Sequence, residues 1–259
     1  MKTRVISGLI MVPLLVLVYL GGYFILAACT MVAIMGVREF YCGFEAMGIK
    51  PWKTLGMISA VPLAVIGCLS PEGWDLIALW IMVFVMVSLL YMFKIQERNP
   101  EDSMATILGI IYVVFFAYHV YLVDHAMHIL VWMIFITAFG TDIFAYFSGY
   151  FFGKHKMAPV LSPKKTIEGA VGGVAGSAIC SLLFAVIFAP EMIIHCAILG
   201  ILCSPVSMAG DLTASAFKRK MGIKDYGNLI PGHGGIMDRF DSVLFVAPVI
   251  YYYIHFVIQ

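Results

Sequence analysis

The chain reads as a succession of apolar runs, each about as long as a bilayer crossing, separated by short polar interruptions. A helix needs roughly 17 to 25 largely apolar residues to span about 30 Å of hydrocarbon. Nine segments meet that requirement, with approximate cores at 5–22, 23–44, 55–71, 74–93, 105–123, 127–153, 167–189, 192–217 and 242–258. Lys2 and Arg4 precede the first in the manner of a secretory leader, but further apolar runs follow at once, so it is read as a retained anchor. The pattern predicts an all-α, polytopic transmembrane fold of about nine helices. It forms one integral membrane domain, 1–259, with N-terminal helices over 1–130 and the polar, chemistry-bearing half over 131–259.

Composition sharpens this picture. Apolar residues make up 62% of the chain and charged residues 12%, about half the roughly 25% charged content of soluble domains. A net charge of +1 lacks the basic excess of a nucleic-acid binder. The six cysteines are scattered through apolar stretches without a CxxC pair, which points to small apolar fillers and away from a disulfide framework or a zinc site.

The charges are sorted along the chain. Threading nine helices places the N-terminus and the loops near 45–54, 94–104, 154–166 and 218–241 on one side of the membrane, and all 16 Lys and Arg residues fall there. Glu72, Asp75, Asp124 and Glu191 lie on the other side with no basic residue. By the positive-inside rule the basic side is cytoplasmic. The expected location is the inner cell membrane, with the functional loops facing the cytoplasm.

Polar residues concentrate in four places. Ser204, Ser207, Asp211, Ser215 and Lys218 follow at steps of 3, 4, 4 and 3 and line one face of a helix. An ionised aspartate at the depth of Asp211 requires a cavity, a cation or a basic partner, a structural salt bridge being the alternative. Asp142, with Tyr146, Gly149 and Gly153, marks a face of the sixth helix that also suits close helix packing. The loop 154–166 gathers Lys154, Lys156, Lys164 and Lys165 ahead of Thr166 and a glycine-rich helix, a combination suited to phosphate, while a plain positive-inside loop is the alternative reading of the lysines alone.

The fourth place is SAFKRKMGIKDYGNLIPGHGGIMDRFDS, residues 215–242. Lys218, Arg219, Lys224 and Arg239 can offset polyanion charge, and Gly232, Gly234 and Gly235 let backbone approach phosphate oxygens. Asp238 and Asp241, three apart, share a helix face, and with Asp211 they form a candidate oxygen-ligand set for Mg²⁺. Asp225 is read as positioning Lys224, and His233 as a phosphate donor, a structural loop histidine being the alternative.

From Ser215 to Asp241 the chain matches, without departure, a motif of fixed positions: S-x-hydrophobic-K-R-x4-K-D-x-G-x2-I-P-x-H-G-G-hydrophobic-x-D-R-F-D. In this it resembles the phosphatidate cytidylyltransferase family, as do the D-x-x-A-Y segment at Asp142 and the SPKKT-x-E-G segment at Ser162. The resemblance implies transfer of CMP from CTP to phosphatidate, giving CDP-diacylglycerol and pyrophosphate. It implies Mg²⁺, with more than one divalent ion and a monovalent ion as a further candidate, and a homodimer. Asp211, Asp238, Lys218, Arg219, Lys224 and Arg239 are the expected catalytic set. Asp142, Lys164, Lys165, Ser215, His233, Gly234 and Gly235 are expected to bind substrate, and Asp211, Asp238 and Asp241 to hold metal. A CTP-dependent polyprenol kinase and an anion transporter are the alternatives. The first 130 residues carry no transferred site residue.

Overall fold

A computed structural model of the chain describes residues 15–71, 73–229 and 234–259. The start of the first predicted span, with Gly232 and His233, lies outside them, and residues 15–20 are helical. The described helices are α1 Tyr23–Glu45, α2 Lys53–Leu69, α3 Trp74–Phe93, α4 Pro100–Phe152, α5 Ile167–Phe188, α6 Ile193–Met221 and α7 Met237–Ile258. Among the described residues six helices are long and apolar enough to cross a membrane, and α2, with 17 residues, is a shorter apolar helix. The chain is thus a membrane-embedded, helical protein.

The predicted fifth and sixth spans are continuous in α4, but Met127 breaks it with extended backbone (φ −160°, ψ 91°). The eighth and ninth spans extend farther than apolarity suggested. α6 runs on to Met221, and α7 begins at Met237, so that Asp238 and Asp241 lie in its first turns. A small departure from all-α structure occurs at the basic loop, where β1 (Lys156–Ala158) and β2 (Ser162–Thr166) form an antiparallel hairpin.

The chain divides into two compact units: 1–125 with Lys218–Phe240, and Ala126–Phe217 with Asp241–Gln259. In the first, Phe40 and Tyr41 of α1 are fully buried. The Tyr41 hydroxyl donates to the Thr106 carbonyl at 2.6 Å, and its ring fills the space where a Cβ at Gly56 or Gly109 would stand. Asp102 fixes the start of α4. It completes a capping box with Asn99 ahead of Pro100 and accepts from the Lys50 amide at 2.6 Å. Gly109→Ala is therefore expected to destabilise the protein by about 1–3 kcal/mol through overpacking against Tyr41. Thermal unfolding in detergent checks this, and an unchanged midpoint would refute it.

In the second unit, α5 lies directly on the later part of α4 through its glycines. A Cβ at Gly169 would stand 2.7 Å from the Ala145 carbonyl, one at Gly173 would stand 3.1 Å from that of Thr141, and one at Gly176 would overlap the Phe144 ring. This is close packing by small residues, as in membrane helices generally.

Candidate active site

The second unit holds a cavity of about 620 Å³ whose wall brings together Asp142, Tyr146, Ser162, Lys164 and Lys165. Local chemistry explains its shape. Thr166 caps α5 by accepting from the Gly169 amide at 3.1 Å, and the missing side chains at Gly149 and Gly153 leave room for Thr166. Glu168, in the first turn of α5, accepts from the Lys154 amide at 3.0 Å and meets His155 Nδ1 at 2.6 Å. The hairpin is thereby clasped at its base, and its lysines are presented from a fixed platform.

Lys165 forms an ion pair with Asp211, and each side chain is about a quarter exposed (23% and 25%). The Lys165 ammonium is out of contact with solvent and has no hydrogen bond beyond that pairing. An ammonium carries three donors. Lys165 lines the cavity with its ammonium drawn back against Asp211, and the donors that this pairing leaves unused suit an anion there. Ser215 stands one turn from Asp211, its hydroxyl 3.4 Å from Oδ1. Deeper in the predicted polar stripe, Ser204 and Ser207 are fully buried, and Ser207 donates to the Ala138 carbonyl at 3.5 Å. That part of the stripe serves helix packing, and only its outer part reaches the cavity side.

In the first unit the motif loop is organised by Asp238. Its Oδ1 pairs with Lys218 Nζ at 2.7 Å, and its Oδ2 accepts from the amides of Tyr226 at 2.8 Å and Gly235 at 3.0 Å. Asp238 is 4% exposed at its side chain and Lys218 14%. Lys218 also stands over the Tyr226 ring, 5.5 Å from its centre. Gly222 closes the end of α6 with φ +69°, and Gly234 turns the loop with φ +85° beside Asp238. Arg219 and Lys224 are exposed, and Arg239 is half-buried.

The space beside Gly235 is filled by the carboxylate of Glu39, as is that beside Gly227, so close approach at these positions is made by a side chain of α1. Glu39 accepts from the Met237 amide at 2.9 Å. Sequence reasoning passed over this residue, although an acidic group inside an apolar span was the available signal.

Among the described residues no group of three or more His, Cys, Asp or Glu side chains is gathered in a way that could hold a metal ion. Asp211 is engaged by Lys165, and Asp238 by Lys218 and two amides, while Asp241 accepts from the Ser242 amide at 2.7 Å. As arranged, these carboxylates are neutralised by ammonium groups and backbone donors and do not form a ready ligand set.

Comparison with known proteins identifies the family. The chain is 31% identical to a phosphatidate cytidylyltransferase of Synechocystis sp., over 97% of this chain and 95% of that protein. It is 33% identical to proteins of the same name from Staphylococcus haemolyticus (96% and 95% covered) and Staphylococcus aureus (96% and 97%). The sequence profile described as the cytidylyltransferase family matches residues 2–257, nearly the whole length that builds both clusters. From the basic hairpin to the Asp238 loop, the chain belongs to the cytidylyltransferase family.

Proposed function

We propose that the protein is a phosphatidate cytidylyltransferase of phospholipid biosynthesis. The observation that carries this reading is a cavity large enough for a phosphorylated substrate, lined by Lys164 and by Lys165, whose ammonium is paired with Asp211. The relatives' shared name gives the substrates: CTP and a membrane lipid phosphate.

A phosphatidate oxygen attacks the α-phosphorus of CTP; the new P–O–P link forms as the bond to the β-phosphate oxygen breaks, and pyrophosphate leaves. Two polyanions must meet, so positioning and charge neutralisation are the main demands. Lys164 and Lys165 would hold a phosphate in the cavity. Lys218, Arg219, Lys224 and Arg239 would oppose charge on the triphosphate. No Ser/His/Asp or Cys/His arrangement has been identified in the sequence, and direct displacement is preferred.

Mg²⁺, a homodimer and a cytoplasm-facing site in the inner membrane belong to the same proposal. The sorting of all 16 basic residues to one side supports the orientation. A thiol introduced at Gly222 is expected to resist impermeant reagents added outside intact cells and to react once the membrane is opened. Labelling from outside would reverse the topology.

The deciding experiment incubates the purified protein with labelled CTP and phosphatidate across a range of Mg²⁺ concentrations. Labelled CDP-diacylglycerol with released pyrophosphate is expected. Release of CDP would indicate a kinase, and absence of turnover would favour the transporter alternative. A rate independent of Mg²⁺ would remove the ion from the reading.

A further inference from the structure

We propose that Glu39, in the N-terminal helix α1, is a positioning residue for the transfer reaction: it sets the start of α7 and so aims Asp238 and its partner Lys218. The inference rests on the cytidylyltransferase reading.

The first amides of any helix lack partners within the helix and need an outside acceptor. For α7 the residue just before the helix is Ile236, whose side chain offers none. Glu39 supplies it from 198 residues away, taking the Met237 amide at 2.9 Å and bonding the backbone of Ile236 as well. A carboxylate at this end of a helix is also favoured by the helix dipole. Asp238, the next residue, then takes the Gly235 and Tyr226 amides and Lys218. The donors of the loop are thus divided between two carboxylates.

Three further observations make Glu39 a fixed point. The Glu39 carboxylate occupies the room that a Cβ at either 227 or 235 would take, so a side chain at either position would push it from its place. Its neighbour Phe40 is fully buried and tilts against the Tyr226 ring with centroids 5.9 Å apart. Tyr41 then locks α1 through its hydrogen bond to the Thr106 carbonyl and its ring against Gly56 and Gly109. Three consecutive residues of α1 thereby tie the loop to rigid helices. Glu39 touches no reacting group and acts through Met237 and Asp238.

The test uses full-length Glu39→Leu, Glu39→Gln, Gly235→Ala and the pair Glu39→Asp with Gly235→Ala, assayed for CDP-diacylglycerol formation and thermal unfolding in detergent. Glu39→Leu is expected to lower kcat by about 10- to 100-fold, the cost of misplacing a catalytic group by about 1 Å. KM for CTP should change by less than about threefold, since ground-state binding is not what it removes. Glu39→Gln, which keeps a carbonyl acceptor, should recover most of kcat. A kcat near wild type for Glu39→Leu overturns the proposal.

If Glu39→Leu fails to fold, the pair decides. Gly235→Ala crowds Glu39 and loses activity, and shortening residue 39 to Asp makes room and restores kcat above that of Gly235→Ala alone. No restoration overturns the proposal. Inactive wild-type protein would instead sink the cytidylyltransferase reading, while coupling between positions 39 and 235 would still be measured in the unfolding midpoints.

Discussion

Asp211→Asn is expected to lower kcat/KM for CDP-diacylglycerol formation by about 10²- to 10³-fold, the scale for losing one preorganised electrostatic group. The substitution keeps the shape of the side chain and removes its charge. Lys165 then loses the anion that holds it at the cavity wall. Stability should fall by only about 1 kcal/mol, because the pair is partly exposed and Lys165 can turn toward water in the cavity. The double variant Lys165→Met with Asp211→Asn should recover that stability without recovering activity. Kinetics and thermal unfolding of the two single variants and the double separate the roles. Should Asp211→Asn unfold the protein, or leave turnover untouched, the pair is a structural strut and nothing more.

Asp238→Ala is expected to be as damaging to activity and far more damaging to stability. It removes one acceptor from a lysine and two backbone amides at once, at a side chain that is 4% exposed. Breaking a buried ion pair from one side costs about 3–5 kcal/mol, because the remaining charge is stranded. Lys218→Met is the informative contrast. It leaves Asp238 with its two amide donors and should cost less stability while still abolishing most turnover. Equal shifts in the unfolding midpoints of the two variants would contradict the view that Asp238 organises the loop.

Much of this arrangement was legible in the sequence, for identifiable reasons. Apolar runs long enough to cross a bilayer locate helices to within a few residues, and the break at Met127 falls where two spans were predicted to meet. The basic loop, the glycine-rich start of α5 and the motif from Ser215 to Asp241 are local signals that need no folding to be read. The need of Asp211 for compensation followed from its depth, but its basic partner was only one of several possibilities. Lys165 is 46 residues earlier in the chain, and no periodicity links the two.

The same limit hid Glu39. Its significance lies in a contact 198 residues away, and in isolation it looks like the frayed polar end of a span. The hairpin at 156–166 was missed for a different reason. Lys- and Pro-rich segments are poor strand formers, and it is the clasp of Glu168 at its base that holds these two short strands in place.

The end of α4 decides something the chemistry alone leaves open. Tyr146, Phe147, Tyr150, Phe151 and Phe152 are 52–73% exposed, and the hairpin carrying Lys164 and Lys165 follows within a few residues. Exposed aromatic rings at a helix end favour the boundary between hydrocarbon and water. In the proposed reading Tyr146 and Tyr150 would hold the lysines near the plane of the lipid phosphates. A lipid drifting sideways within its leaflet would then meet the cavity without being lifted from the bilayer, so the search for one substrate would be two-dimensional while that for the other, dissolved in water, would be three-dimensional.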